Sequence, residues 1–487
     1  MAEAGVEGRE QRRQQGHLQP GLKRRHMTMI SIGGIIGAGL FVGTGPILNQ
    51  AGPATVLTYL LTGCLLILIM RMLGEMAVAQ PSVGSFSDYG RMALGNWAGF
   101  SIGWLYWYFW AIVVGFEATV AASILGQYVP GVPPWLIALT LVLLLTATNL
   151  YSVGSYGEFE FWFAGIKVAA IIIFIVLAAL FVIGLWPGGE GGMGLSNLYD
   201  QGGFFPNGSL VMFSGVVTVI FAFVGAEIVT IAAAESNEPE QGIVRATNQV
   251  IIRVLLFYVV SVFFLVAIVP WNTTFAEEVI KSPFTIAFER MGIPFAPDLM
   301  NFVVLTAVLS VLNSSLYTTS RMLFALTRHS DAPQFFLHTT RRGVPIWAIL
   351  AGTSFGYVSV LLYYFFPEEV FTWLINASGA IALFVYLLIA ISELVMRRRL
   401  EREAPERLQL KMWLYPWLTY LSIAAMVAVL VAMAVIPGQR PLLIASLVSL
   451  GVILVAYGIR RVAGPPERDP SEVVRREQES APATQTE

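Results

Sequence analysis

Charge is scarce in this chain. Of its 487 residues, 12% are Asp, Glu, Lys or Arg, about half the share of a soluble globular domain. The formal net charge is only −2, which excludes the basic footprint of a nucleic-acid binder. Cysteine is almost missing. Cys64 stands alone in an apolar run, so no disulfide can form within the chain and the redox compartment stays open. Histidine is rare, and His17, His26, His329 and His338 all fall outside the apolar runs. No buried histidine-ligated metal site is expected, and no cofactor. Neither a βαβ pattern nor a repeat of about 20–50 residues is visible.

What is abundant is hydrophobicity: 56% of residues, with a mean hydropathy of +0.70. Most of the chain must therefore sit in a low-dielectric solvent, the lipid bilayer. A membrane helix needs about 20 mostly apolar residues. Runs of that kind lie near 27–48, 52–72, 98–126, 134–152, 159–186, 209–235, 246–269, 299–327, 346–365, 370–396, 413–435 and 441–460. The expectation is an all-α membrane protein of about twelve transmembrane helices. The first run follows a charged tail and is crowded with glycine, so it does not read as a cleaved signal peptide. The stretches 1–20 and 464–487 are polar and read as disordered tails, which leaves 21–463 as the membrane domain.

Loop charges set the expected orientation. With both termini in the cytoplasm, nearly all of the 29 Lys and Arg fall on the cytoplasmic side. Lys281, Arg290 and Arg440 fall opposite, and Lys167 lies inside a helix.

The first run carries Gly33, Gly34, Gly37, Gly39, Gly43 and Gly45. Each costs a continuous helix up to about 1 kcal/mol relative to alanine. One reading is a helix broken at mid-membrane, whose freed N–H groups face a cavity and suit a carboxylate. The other is a close-packing face, Gly33-x-x-x-Gly37. A dinucleotide loop is excluded, because the glycine order is wrong and no strand precedes it. The sixth run favours the break. Its Phe221-Ala222-Phe223-Val224-Gly225-Ala226-Glu227 sets glycine, small residues and a carboxylate together in mid-membrane. Phe221 and Phe223 also fit a plain lipid-facing role.

Three ionisable residues are expected deep in the membrane: Glu117, Lys167 and Glu227. Such residues are costly there and are functional candidates. Lys167 lies roughly 12 Å along the fifth helix, within reach of snorkelling. Proton coupling and a structural ion pair are both open for it. The stretch Asn313-Ser314-Ser315 with Tyr317-Thr318-Thr319 faces the bundle, either packing there or meeting a ligand.

Leu22-Lys23-Arg24-Arg25-His26, followed by Gly34-Ile35-Ile36-Gly37-Ala38-Gly39-Leu40-Phe41, resembles the opening of bacterial amino acid permeases of the amino acid–polyamine–organocation superfamily. Gly225 through Glu227-Ile228-Val229-Thr230 to Ala234-Glu235-Ser236 and Ile243-Val244-Arg245-Ala246-Thr247-Asn248 is similar to its 4-aminobutyrate (GABA) permease group. So are Gly157-Glu158-Phe159-Glu160-Phe161-Trp162, Ser378-Gly379-Ala380-Ile381-Ala382-Leu383 and Leu410-Lys411-Met412-Trp413-Leu414-Tyr415-Pro416-Trp417. The likeness covers about 22–462.

The resemblance implies two inverted five-helix repeats plus two peripheral helices, with helices one and six broken. It implies proton-coupled import of a small amino acid such as 4-aminobutyrate across the plasma membrane, by alternating access. Amides at Gly37, Ala38 and Gly39 would hold the carboxylate. Carbonyls at Ile35, Phe221, Ala222 and Val224 would face the amine, and Phe221 would close the outer side. Lys167 would stand where sodium-driven relatives hold their ion, with Glu117 and Glu227 as further proton-coupling candidates. The implied partners are the amino acid substrate, the proton and the lipid bilayer. The rival expectations are an α-amino acid permease or exchanger, and a channel or solute sensor. An enzyme is not expected, since the core holds no acid–base or metal constellation.

Overall fold

The computed structural model describes residues 24–463, apart from 35, 83, 187–193, 214, 234–238, 274–281, 341–342, 368, 371–372, 375–377 and 379. The tails expected at 1–20 and 464–487, and Ile35 of the expected site, lie outside the described residues. Among those residues there is no β-strand.

The first expected run is three short helices in succession: α1 (Arg24–Gly33), α2 (Ala38–Phe41) and α3 (Thr44–Ala51). Gly52, at φ +61, ends α3, and Pro53 follows it. The chain then enters α4 (Thr55–Ala79). A short amphipathic helix, α5 (Phe86–Leu94), precedes the long α6 (Asn96–Gly126). Helix α7 (Pro134–Tyr151) starts on a proline, which loses nothing at a first turn. Helix α8 (Val153–Val182) is capped by the Ser152 hydroxyl, which accepts the Ser155 amide at 3.0 Å. The sixth run is split into α9 (Val216–Phe223) and α10 (Ile228–Ala233).

The seventh run comprises α11 (Pro239–Arg253), a π-helical turn over Val254–Val260, and α12 (Ser261–Ile268). After α13 (Pro283–Arg290) come α14 (Ala296–Arg328), α15 (Ile346–Phe365), α16 (Ile381–Glu403), α17 (Trp417–Val435) and α18 (Arg440–Ala463).

Among the described residues, ten helical stretches are long and apolar enough to cross a membrane. Two expected segments are absent from that set for physical reasons. The first is broken, and its second half runs on with α4 in Ala38–Ala79. The tenth, α16, carries Glu393, Arg397, Arg398 and Arg399 near one end. The protein is thus a multi-span all-α membrane protein with two interrupted helices. Helix α6 is buried along most of its length and packs against α14 at the centre of the bundle. Helix α18 buries only Leu443 and Ser446, as a peripheral helix should.

One end of the bundle is tied by a buried charge cluster on α5. Asp88 meets the His329 ring at 2.8 Å and accepts from Ser82, while Arg91 pairs with Asp331. Arg460 of α18 reaches the same Asp331 at 3.0 Å. Burial alone would raise the Asp88 carboxyl, but His329, Ser82 and Arg91 outweigh it and hold it below the usual carboxylate range.

A cleft between two helix breaks

The first break runs from Gly33 to Ala38. Gly37 is extended, at φ −140 and ψ −158, so the helix stops and the Ile36 carbonyl is left without a helical partner. Lipid tolerates such a group only if the protein satisfies it. Lys167 of α8 does so, donating from Nζ to Ile36 O at 2.9 Å and to Ser310 Oγ at 2.7 Å. Ser310 in turn donates to the Glu160 carboxylate at 2.7–2.8 Å, and Lys167 lies 3.8 Å from Glu160 Oε1. Both side chains are fully buried. On the other side of the break, the Ala38 N–H at the start of α2 donates to the Glu117 carboxylate. The second oxygen of Glu117, Oε2, is buried with no partner.

The glycines here are packed as well as broken. A Cβ on Gly33 would overlap Ala164 of α8. One on Gly37 would sit 2.6 Å from Val311 Cγ2, and one on Gly39 would sit 2.6 Å from Ala222 Cα. The two sequence readings of this stretch, close-packing face and broken helix, are therefore both right. Gly39 is where the two interrupted helices touch backbone to backbone.

The second break runs from Phe223 to Ile228. Val224 is extended, and Gly225 takes φ +115, a conformation that glycine adopts freely. The Gly225 N–H is shared by both Glu227 oxygens at 3.2 Å. Tyr106 of α6 donates to Glu227 Oε1 at 3.0 Å, and Tyr386 of α16 donates to Oε2 at 3.1 Å. Tyr258 donates to the freed Ala222 carbonyl at 3.2 Å.

Between the breaks lies a cleft lined by Gly37, Gly39, Glu117, Phe221, Ala222 and Val224, with Phe109, Trp110, Val113 and Val311. Its free volume is about 20 Å³, room for roughly one water. Phe221 is half-buried over it, its ring 5.8 Å from Phe109 and 5.4 Å from Phe116. Phe223 is buried inside the protein against Tyr59 and Tyr258, so the lipid-facing alternative fails for it.

Of the expected site residues, Gly37, Gly39, Glu117, Phe221, Ala222 and Val224 are brought to one cleft, and Ala38 meets it through its amide. Lys167 lies behind the first break, held to it by the Ile36 carbonyl. Glu227 lies within the second break and lines an adjoining crevice that shares Phe109 and Val224 with the cleft. The polar stretch of α14 is buried: Asn313 accepts from Asn149 at 2.8 Å, and Ser314 donates to Glu160 at 3.3 Å.

The set of three deep ionisable residues was too small. Glu160, Arg253 and Arg321 are also fully buried inside helices. Nε, Nη1 and Nη2 of Arg253 have no hydrogen-bond partner. Arg321 lies over the Tyr317 ring at 4.3 Å and donates to Ser320. A signal for Glu160 was present: it stands seven residues, two helical turns, before Lys167 on the same face.

The amino acid permease family model matches residues 26–464. A gamma-aminobutyric acid permease of Bacillus subtilis (strain 168) is 50% identical, over 92% of this chain and 94% of that protein. A gamma-aminobutyric acid permease of Escherichia coli (strain K12) is 50% identical, over 89% and 92%. An aromatic amino acid transport protein of Corynebacterium glutamicum is 41% identical, over 85% and 89%.

Proposed function

The chain belongs to the amino acid permease family, and we propose that it imports 4-aminobutyrate with a proton, by alternating access. It is a transporter of a small amino acid, not an enzyme. The observation that carries the substrate is the 50% identity, over some nine-tenths of the chain, to permeases named for 4-aminobutyrate. The geometry supports a ligand with a carboxylate. The Ala38 N–H already holds one, that of Glu117, beside the cleft. In the proposed cycle the substrate carboxylate takes the amides of Gly37, Ala38 and Gly39. Glu117 accepts a proton as it gives up that bond.

Lys167 supplies the second element. Its ammonium is a fixed cation beside the open carbonyl of the first break, tied through Ser310 to Glu160 on its own helix. A cation there removes the need for a bound sodium ion. Loss of the Lys167 proton would free the Ile36 carbonyl and let the α1–α2 break move against α8 and α14. The membrane unit spans 21–463 in the plasma membrane, with both termini cytoplasmic, its two halves being inverted repeats that rock about the two breaks. The lipid bilayer is its standing partner.

Uptake of labelled 4-aminobutyrate into proteoliposomes tests this reading. Accumulation driven by an inward proton gradient, with no requirement for sodium, is expected. Accumulation that needs sodium and ignores the proton gradient would overturn the coupling. Preferential uptake of an α-amino acid, the reading favoured by the aromatic amino acid relative, would overturn the substrate.

A further inference from the structure

The cleft at the first break accounts for a carboxylate but leaves the other end of the substrate without a partner. In 4-aminobutyrate the ammonium is three carbons from the carboxyl carbon, beyond the carbonyls that would serve an α-amino group. The crevice next to the cleft has the complementary chemistry. Its walls include Glu227, Tyr106, Tyr386 and Phe109, and it shares Phe109 and Val224 with the cleft. Three aromatic rings around one carboxylate form a cage for an organic cation.

The carboxylate is arranged to receive one. Glu227 is fully buried, and it accepts hydrogen bonds from neutral donors: the Gly225 amide, Tyr106 and Tyr386. Among the described residues no ion pair forms to it. The fully buried Arg253 guanidinium, whose charge it feels, makes no hydrogen bond. Each tyrosine hydroxyl donates to Glu227 and so keeps its own lone pairs for an incoming N–H. An ammonium has three such donors, enough for Glu227 and both tyrosines.

Gly39 lies against Ala222, and three residues on Gly225 donates to Glu227, so the carboxylate end and the crevice lie along one short stretch of α9 and its break. Extended 4-aminobutyrate sets its amine roughly 2.5 Å farther from the carboxylate than an α-amino acid does, so its amine reaches further toward Glu227. We propose that Glu227, Tyr106 and Tyr386 form an ammonium subsite that selects substrates whose amine is set several carbons from the carboxylate. The crevice has no room for a water in this conformation, so the subsite opens as the substrate enters. This proposal rests on the 4-aminobutyrate reading.

The test is equilibrium binding to the purified full-length protein in lipid nanodiscs. The ligands are labelled 4-aminobutyrate, with unlabelled alanine, β-alanine, 5-aminovalerate and butyrate as competitors. The wild type should prefer 4-aminobutyrate to alanine and β-alanine. Glu227→Gln should weaken 4-aminobutyrate about 10- to 100-fold, the worth of a charged hydrogen bond. Butyrate, which has no amine, should compete equally well against both proteins. Tyr386→Phe, which keeps the ring and removes one hydroxyl, should weaken 4-aminobutyrate several-fold and leave butyrate alone. It serves as the second readout should Glu227→Gln fail to fold. Wild-type protein that binds no 4-aminobutyrate would sink the substrate reading. Wild-type binding with unchanged affinity in Glu227→Gln or Tyr386→Phe would sink the subsite alone. Unchanged binding in Glu227→Gln with loss of proton-driven uptake would assign the carboxylate to coupling instead.

Discussion

The two helix breaks solve the same problem in different ways. Each exposes backbone groups in a solvent that offers them no partners. At the first break the partners come from other helices and are ionisable: Lys167 of α8 takes the Ile36 carbonyl, and Glu117 of α6 takes the Ala38 amide. At the second, Gly225 is satisfied by Glu227 two residues away, while the neighbouring helices contribute only tyrosine hydroxyls. The first break is held by ionisable side chains from two other helices. The second is held by a local carboxylate within a ring of neutral donors. In the proposed cycle a proton loosens the first directly, whereas the second opens to admit the amine of a ligand.

Four substitutions test these assignments, the last of them away from both breaks. The largest effect is expected where the breaks touch. Gly39→Val drives a side chain into the Ala222 backbone and should abolish measurable 4-aminobutyrate binding. Gly165→Val, on α8, where a Cβ meets nothing within 4 Å, should bind normally. Gly63 is a poor control, because a Cβ there would strike Val254. Near wild-type affinity in properly inserted Gly39→Val would refute the cleft.

Lys167→Met comes next. It removes the cation from the first break and should reduce gradient-driven accumulation to background while weakening binding only about tenfold. Counterflow and binding assays on the same reconstituted protein separate the two. Accumulation at the wild-type level would make Lys167 a structural ion pair.

Glu117→Gln keeps the shape but takes away the charge that competes for the Ala38 amide. Gradient-driven uptake should fall and lose most of its pH dependence, while ligand binding should not weaken. A pH–rate profile parallel to that of the wild type would exclude Glu117 from coupling.

The smallest effect on transport is expected from Asp88→Asn, in the cluster at the end of the bundle. Breaking a buried pair there should cost about 3 kcal/mol of stability and leave ligand affinity within about twofold. The sign with pH follows from the lowered Asp88 carboxyl. Its stabilisation is complete above the ordinary value of 3.8 and is lost as the pH falls below that, through the lowered one. Thermal melts of the wild type should therefore show the contribution at neutral pH and lose it under strong acid, while the variant should lack it throughout. Equal melting temperatures at neutral pH would show that the cluster does not hold the bundle.

The elements most legible in the sequence were those with a one-dimensional signature. Long apolar runs give helices, and glycines crowded in such a run give a break or a tight contact. Here they gave both, because a chain that leaves helix geometry also lets a neighbour approach. Glu117, Lys167 and Glu227 stood out because charge in the middle of an apolar run has no bland explanation. Glu160 did not, because charge close to the end of a run looks the same as the edge of the membrane, whereas Arg253 and Arg321 lie nearly as deep in their runs as Lys167 does in its own and were missed. Only packing shows that α8 buries Glu160 against Ser310, or that α11 carries Arg253 into the interior. The tyrosines that hold Glu227 were invisible for a different reason: Tyr106 and Tyr386 lie 121 and 159 residues from it, and an aromatic in a membrane helix is unremarkable by itself.

The free volume between the breaks, about 20 Å³, has an electrical consequence. A passage that holds roughly one water cannot support a continuous file of water or hydrated ions, so no ion leak is expected through this conformation. Current through this protein should be quantised by turnover, rising with substrate and saturating at the rate at which the helices rearrange. Under a holding voltage without substrate, a membrane packed with it should be as tight as bare lipid.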